Sequence, residues 1–195
     1  NVVCFVADDE DFNKHVTSSE EVSDSLANYN KNINIDKIYL DAYPEVSTPG
    51  GERYPEVTEA INNRMEKGNL IMNYMGHGGE VGWAHERVLN VSDIINWKNL
   101  DKLSVFITAT CEFSRFDDPE RVSAGELVFN NPNGGAVAMF TTARPTSISE
   151  NTKINIAIFK YAFDTQNGTY VNFGDIMRNA KNDSGVSNTD KMYVL

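Results

Sequence analysis

The chain has 195 residues, 41% hydrophobic and 23% charged, which suits one α/β domain with its own core and excludes a disordered chain. Its formal net charge of −11 lacks the clustered Lys and Arg that phosphate contacts need, so nucleic acid is excluded as a partner. No apolar run approaches the roughly 20 residues of a membrane-spanning helix, and no signal peptide is visible.

In chain order, Val2 to Ala7 reads as a buried strand. Ser18 and Glu21 form a capping-box pattern ahead of Val22, Leu26 and Tyr29, which predicts a helix over 18–29. Ile35 to Tyr43 reads as the next strand, and 42–54 as a surface loop. Pro55 suits the first turn of a second helix, with Val57, Ile61 and Met65 on one face and Gly68 at its end. Leu70 to Met75 is a third strand, Ser92 caps a short helix carrying Ile94, Ile95 and Leu100, and Leu103 to Thr110 is a fourth strand.

A helical turn at 125–129 and a tight turn at 131–135 lead to a fifth strand, Ala136 to Thr142. Ser149 starts a helix bearing Ile154, Ile158 and Tyr161, and Phe173 to Ala180 a last one before the apolar end, 192–195. Continuous apolar strands alternating with helices imply an α/β fold, a mostly parallel sheet with helices on both faces. Because the chain begins and stops inside strand-like runs, 1–195 reads as a single catalytic subdomain, a fragment of a larger protein.

Two cysteines are too few for a disulfide framework. Cys4 lies inside an apolar run and reads as a small core residue. Sites in such sheets form beyond the carboxyl ends of the strands, and two ends stand out. Gly76-His77-Gly78-Gly79 follows the third strand, and Cys111 follows the fourth. The helix-containing segment between them is long enough for a right-handed crossover into a neighbouring strand, which would bring both residues to one edge. A thiol is only slightly ionised at neutral pH unless an imidazole takes its proton or pairs with the thiolate. The amides of Gly78 and Cys111 are candidate oxyanion donors. The bland alternatives stay open at this point: a buried strand-end thiol for Cys111 and a loop histidine for His77. His77 and His85, with Glu80 and Glu86 near them, match no helical metal-ligand spacing, so no metal site is expected.

The stretch 73–83, Asn-Tyr-Met-Gly-His-Gly-Gly-Glu-Val-Gly-Trp, resembles the histidine motif of the gingipains, the C25 cysteine peptidases of clan CD. The stretch 105–111 resembles their strand into the nucleophile, 123–127 the helix after it, and 135–139 the next strand. The resemblance covers nearly all of the chain. It implies a caspase-like fold and a cysteine endopeptidase acting through an acyl-enzyme, with Cys111 as nucleophile, His77 as base and Gly78 at the oxyanion hole. A third, acidic residue lies just after the first strand in that family. Asp9 matches best there, with Asp8 or Glu10 as fallback, although the same acids could be a solvated loop or a cluster of calcium ligands.

Trp83, Glu112 and Thr142 are the candidate substrate-binding positions. Where the arginine-specific relatives carry an Asp near the start of the first helix, this chain has His15 or Val16, which speaks against arginine specificity. Asp117 and Asp118 are candidates for selecting a basic group, or else belong to a solvated loop.

The wording around His77 and Asp8 to Asp11 is especially similar to the gingipain-like sortases of type IX secretion. That implies protein substrates, other secretion-system components as partners, a cell-surface, outer-membrane or secreted location, and transfer of the acyl group to a lipopolysaccharide amine. No cofactor is required, and calcium is a candidate structural ion. The competing reading is a non-catalytic scaffold of the same fold that binds within a secretion complex.

Overall fold

The computed structural model describes residues 1–166, 168–186 and 192–195. The first strand, β1 (Val2–Ala7), leads into α1 (Glu10–Tyr29), then β2 (Asn34–Tyr39). A hairpin of β3 (Val46–Thr48) and β4 (Gly51–Arg53) precedes α2 (Pro55–Lys67) and β5 (Ile71–Met75). Three very short strands follow, β6 (Gly78–Gly79), β7 (Gly82–Trp83) and β8 (Leu89–Asn90), then α3 (Val91–Asn96) and β9 (Ser104–Ala109). The chain continues through α4 (Ala124–Asn130), β10 (Ala136–Thr142), α5 (Ile148–Ala162), the small hairpin β11 (Thr165–Gln166) and β12 (Thr169–Tyr170), α6 (Phe173–Ser184) and β13 (Tyr193–Val194).

The central sheet runs in the order β13-β10-β9-β5-β1-β2. Every neighbouring pair is parallel except β10 with β13. Side chains alternate across it as a pleat requires. Cys4, Val6, Met72, Tyr74, Phe106 and Met139 face the layer of α2, α3 and α4. Val3, Phe5, Ile71, Met75, Ile107 and Phe140 face α1, α5 and α6. Burial on both faces is why these strands read as unbroken apolar runs.

Three differences from the sequence reading have physical causes. Helix α1 starts well before Ser18, because its inner face is built from His15, Ser19 and Ser23 as well as Val22 and Leu26, and small polar groups hide the periodicity. Asp11, Phe12 and Asn13 at the head of α1 adopt left-handed backbone, with φ of 55°, 59° and 57°. The 42–54 loop carries the β3–β4 hairpin, whose exposed, polar strands give no apolar signal. In the short helix α3, Asn90 and not Ser92 is the N-cap, in a reciprocal capping box with Asp93, and only Ile94 of the expected apolar set is buried.

Candidate active site

Strands β5 and β9 are adjacent and parallel, with Met75 paired to Ala109. His77 and Cys111 each follow their strand's paired residue by two positions, so both emerge at the same carboxyl edge of the sheet.

The backbone of His77 is held on three sides. Its N–H donates to Asp8 Oδ2 (2.9 Å), and its carbonyl accepts from Tyr74 Oη (2.6 Å) and the Ala84 N–H (2.8 Å). Asp8 is fully buried, and its other oxygen accepts the Glu10 N–H at 3.1 Å. Gly78 has no room for a side chain: a Cβ there would lie 2.5 Å from Thr110 Oγ1 and 3.0 Å from the Gly82 carbonyl. Glycine thus lets the His77 loop lie directly on the end of β9.

On the thiol side, the Thr110 carbonyl accepts hydrogen bonds from Thr142 Oγ1 and Thr146 Oγ1. The next residue but one, Glu112, takes a left-handed φ of 52°, so the chain turns sharply away from the half-exposed Cys111. Cys111 Sγ accepts the Thr146 N–H at 3.5 Å and lies 3.8 Å from the Thr146 carbonyl. No hydrogen bond joins it to the imidazole, whose Nε2 faces Asp11 Oδ2 at 3.0 Å. Open catalytic hydrogen bonds of this kind are common before substrate binds.

The acid at the imidazole is therefore Asp11, with Glu10 Oε2 at 3.5 Å, and not Asp9. Asp9 Oδ2 instead accepts from Tyr54 Oη at 2.7 Å. The left-handed turn at 11–13 causes the exchange, because it carries Asp11 round to the ring while Asp9 faces the head of α2. Asp11 and Asn13 are residue types that tolerate left-handed backbone, but Phe12 between them is not, so the run could not be read from the sequence.

The expected substrate-binding residues divide. Glu112 is half-buried and pairs with Arg115 at 3.4 Å, at the rim. Trp83 is fully buried, stacked on Tyr74 at 4.3 Å and packed against Phe106 and Phe113, so it offers no surface to a ligand. Thr142 is also fully buried and serves the backbone before Cys111. Asp117 is engaged by Arg144, whose guanidinium holds its carboxyl down to about 2, and Asp118 accepts the Glu120 N–H, so both are committed locally. Glu80 is engaged by Arg115 and Arg121.

All three histidines of the chain gather here. The His77 ring lies 5.0 Å from His15, edge to face, and 5.0 Å from His85, nearly parallel. His85 Nδ1 is 2.9 Å from Glu10 Oε2, a contact that raises the basicity of its ring. Burial pushes the His15 ring the other way, toward its neutral form. A cleft of ≈ 1070 Å³ opens beside the His77 loop, lined by Tyr54, Gly78, Gly79, His85 and Arg87, with Trp83 beneath its floor. Asp11, Thr146 and the packing of His15 against His77 escaped the sequence reading. Asp11 and His15 are four apart, one helical turn, which was the single available clue.

Residues 1–194 match the sequence model of peptidase family C25. None of the curated proteins matches the chain. Among solved structures, the Arg specific cysteine proteinase gingipain R (RgpB) is similar at a TM-score of 0.73 and 15% identity, over 94% of this chain and 41% of that one. The complex of Porphyromonas gingivalis RgpB pro- and mature domains is similar at a TM-score of 0.71 and 16% identity, over 98% and 44%. The chain thus spans less than half the length of these proteins, and at such identities the likeness is one of fold. Among the described residues, no helix is long and apolar enough to cross a membrane.

Proposed function

The chain belongs to peptidase family C25, and from that premise we propose that it carries the catalytic subdomain of a cysteine endopeptidase with Cys111 as nucleophile and His77 as general base. The observation that carries the reading is the emergence of both residues, in register, at one carboxyl edge of adjacent parallel strands.

In this mechanism Cys111 turns from Thr146 toward the imidazole, which takes the thiol proton. The thiolate sulfur attacks the scissile carbonyl carbon, and the oxyanion is met by the amides of Gly78 and Cys111. As the C–N bond breaks, the imidazolium returns its proton to the leaving amine, and a thioester remains on Cys111. Water, activated by the neutral imidazole, hydrolyses the thioester and regenerates the thiol. An amine acceptor in place of water would give transpeptidation. Asp11 orients the ring and offsets its charge in the protonated state.

The finer reading is a sortase-like role in type IX secretion: removal of C-terminal sorting domains from secreted cargo at the cell surface, with a lipopolysaccharide amine as one acceptor. The motif wording at 73–83 supports it. Product analysis of natural cargo settles the class. Full-length protein should yield a trimmed C-terminus or an amine-linked one, and Cys111→Ala, folded by circular dichroism, should yield neither. Cleavage that survives in Cys111→Ala removes the thiol mechanism.

A second reading, a binding module that keeps the fold without turnover, draws on the hydrogen bond that holds Sγ on Thr146. Inert Cys111 toward iodoacetamide, with no cleavage by the full-length protein, would favour it.

A further inference from the structure

The cluster around His77 contains more ligating atoms than a peptidase needs. Glu10 is the first residue of α1, His77 lies just past the end of β5 and His85 between β7 and β8. Their ligand atoms all lie within 4.8 Å of one another. The His77 and His85 rings are nearly parallel, 16° apart, and both turn a nitrogen to the same carboxylate oxygen.

We propose that Glu10, His77 and His85, with Asp11 beside them, bind a divalent cation of the zinc class, and that its binding turns the peptidase off.

The distances fit a four-coordinate ion. Bonds of about 2.0–2.2 Å at tetrahedral angles place ligand atoms roughly 3.3–3.6 Å apart. Glu10 Oε2 is 3.5 Å from His77 Nε2 and 2.9 Å from His85 Nδ1, and Asp11 Oδ2 is 3.0 Å from His77 Nε2. These three contacts lie within a few tenths of an ångström of that spacing, and the two imidazole nitrogens are no more than 4.8 Å apart. Two imidazoles with carboxylates select zinc-like ions over magnesium or calcium, which take oxygen ligands.

The shell behind the ligands is also built. The His77 backbone is fixed by Asp8, Tyr74 and Ala84. His85 sits on a turn whose flanking Ala84 and Arg87 both have left-handed φ, 59° and 58°. A second, independent sign lies deeper. His15 is 5% exposed, its Nε2 has no hydrogen-bond partner, and that atom is 3.6 Å from Asp11 Oδ2. Asp8, His15 and His77 form an overlapping set of ligand atoms, so a further nitrogen stands ready at the same imidazole. A buried nitrogen without a partner is costly unless something fills the gap.

The inhibitory consequence rests on the role of His77 proposed above, but the binding does not. A cation on His77 Nε2 uses that lone pair and leaves the neutral ring with its proton on Nδ1. Such a ring has no site to accept the thiol proton of Cys111. Zinc-free enzyme is then the active form.

The test uses the full-length protein, stripped with a chelator and dialysed. Zn²⁺ is titrated by calorimetry and Co²⁺ by visible absorption, for the wild type, His85→Ala, Glu10→Gln and Cys111→Ala, each checked by circular dichroism. The expected result is one ion per chain with a tetrahedral Co²⁺ spectrum, affinity at least about tenfold weaker in His85→Ala and Glu10→Gln, and no change in Cys111→Ala. In the cleavage assay, with each protein scaled to its own metal-free rate, His85→Ala should need at least about tenfold more Zn²⁺ for inhibition. Absence of stoichiometric binding overturns the proposal. So does loss of binding in Cys111→Ala, or equal inhibition of wild type and His85→Ala, because the ion would then be on the thiolate. Zinc binding intact in a protein that cleaves nothing when metal-free would leave the site standing and remove the peptidase reading instead.

Discussion

Asp11 Oδ2 lies 3.0 Å from His77 Nε2, brought there by the left-handed turn through Asp11, Phe12 and Asn13. Asp9, two residues earlier, is spent on Tyr54. Asp11→Asn should therefore lower kcat/KM about tenfold, while Asp9→Asn leaves it within about twofold. The expected loss stays well short of the ~10⁴-fold penalty for a buried triad acid, since the Asp11 side chain is 45% exposed and screened. If Asp9→Asn were the more damaging change, the acid would be assigned to the wrong residue.

Trp83 tests whether the motif tryptophan meets substrate. It is buried against Tyr74, Phe106 and Phe113, and its Nε1 has no partner. Trp83→Ala should cost ~3–5 kcal/mol in denaturant unfolding. Trp83→Phe should cost only about 1–2 kcal/mol, because the smaller ring also removes an unsatisfied donor. In that variant KM for a peptide substrate should stay unchanged. A large rise in KM with stability untouched would mean the ring reaches the ligand in the working enzyme.

The parts of the molecule that could be read from the chain are those where burial is two-sided and continuous. Val2 to Ala7 and Ala136 to Thr142 have the bounds their apolar runs suggest, and His77 and Cys111 were legible because each stands just past such a run. The head of α1 was not legible, because His15, Ser19 and Ser23 line its buried face in place of apolar residues. Trp83 belongs to the histidine motif and Thr142 ends the strand beside the one that leads to Cys111, yet the β6–β8 sheet and β10 turn their side chains inward. His85 joins His77 only when β7 and β8 close over the end of the sheet, a contact that spacing along the chain does not encode.

The two thiols should separate by chemistry. Burial, and then the charge of Asp36, push the Cys4 thiol up to about 12 from 9.0, with Arg64 pulling back. Iodoacetamide at pH 8 should thus label Cys111 in the native protein and Cys4 only after unfolding. A raised thiol value favours the protonated form in the fold. Its stabilisation is complete below pH 9 and is lost as pH climbs toward 12, at up to ~1.4 kcal/mol per pH unit. Comparing unfolding at pH 8 and 10.5, the wild type should lose more stability than Cys4→Ala, since tyrosine ionisation is common to both. A gap between the two proteins that is independent of pH would show that Cys4 titrates alike in both states.

Gly78 and Thr110 hold the histidine loop to the strand that ends in Cys111. A Cβ on Gly78 would stand 2.5 Å from Thr110 Oγ1, a buried hydroxyl with no hydrogen-bond partner, and 3.0 Å from the Gly82 carbonyl. Gly78→Ala must then lift the loop off the end of β9, which moves the His77 imidazole and the Gly78 amide together. Displacements near 1 Å cost on the order of 100-fold when geometry carries catalysis. The expected result is a loss of that order in kcat with KM little changed. Thr110→Ala alone should be mild, because it removes a hydroxyl that bonds nothing. The double variant Gly78→Ala with Thr110→Ala should recover part of the rate, though not all, because the Gly82 contact remains. Additive losses in the double variant would mean the two residues act separately, and the loop would owe its position to Asp8 and Tyr74 alone.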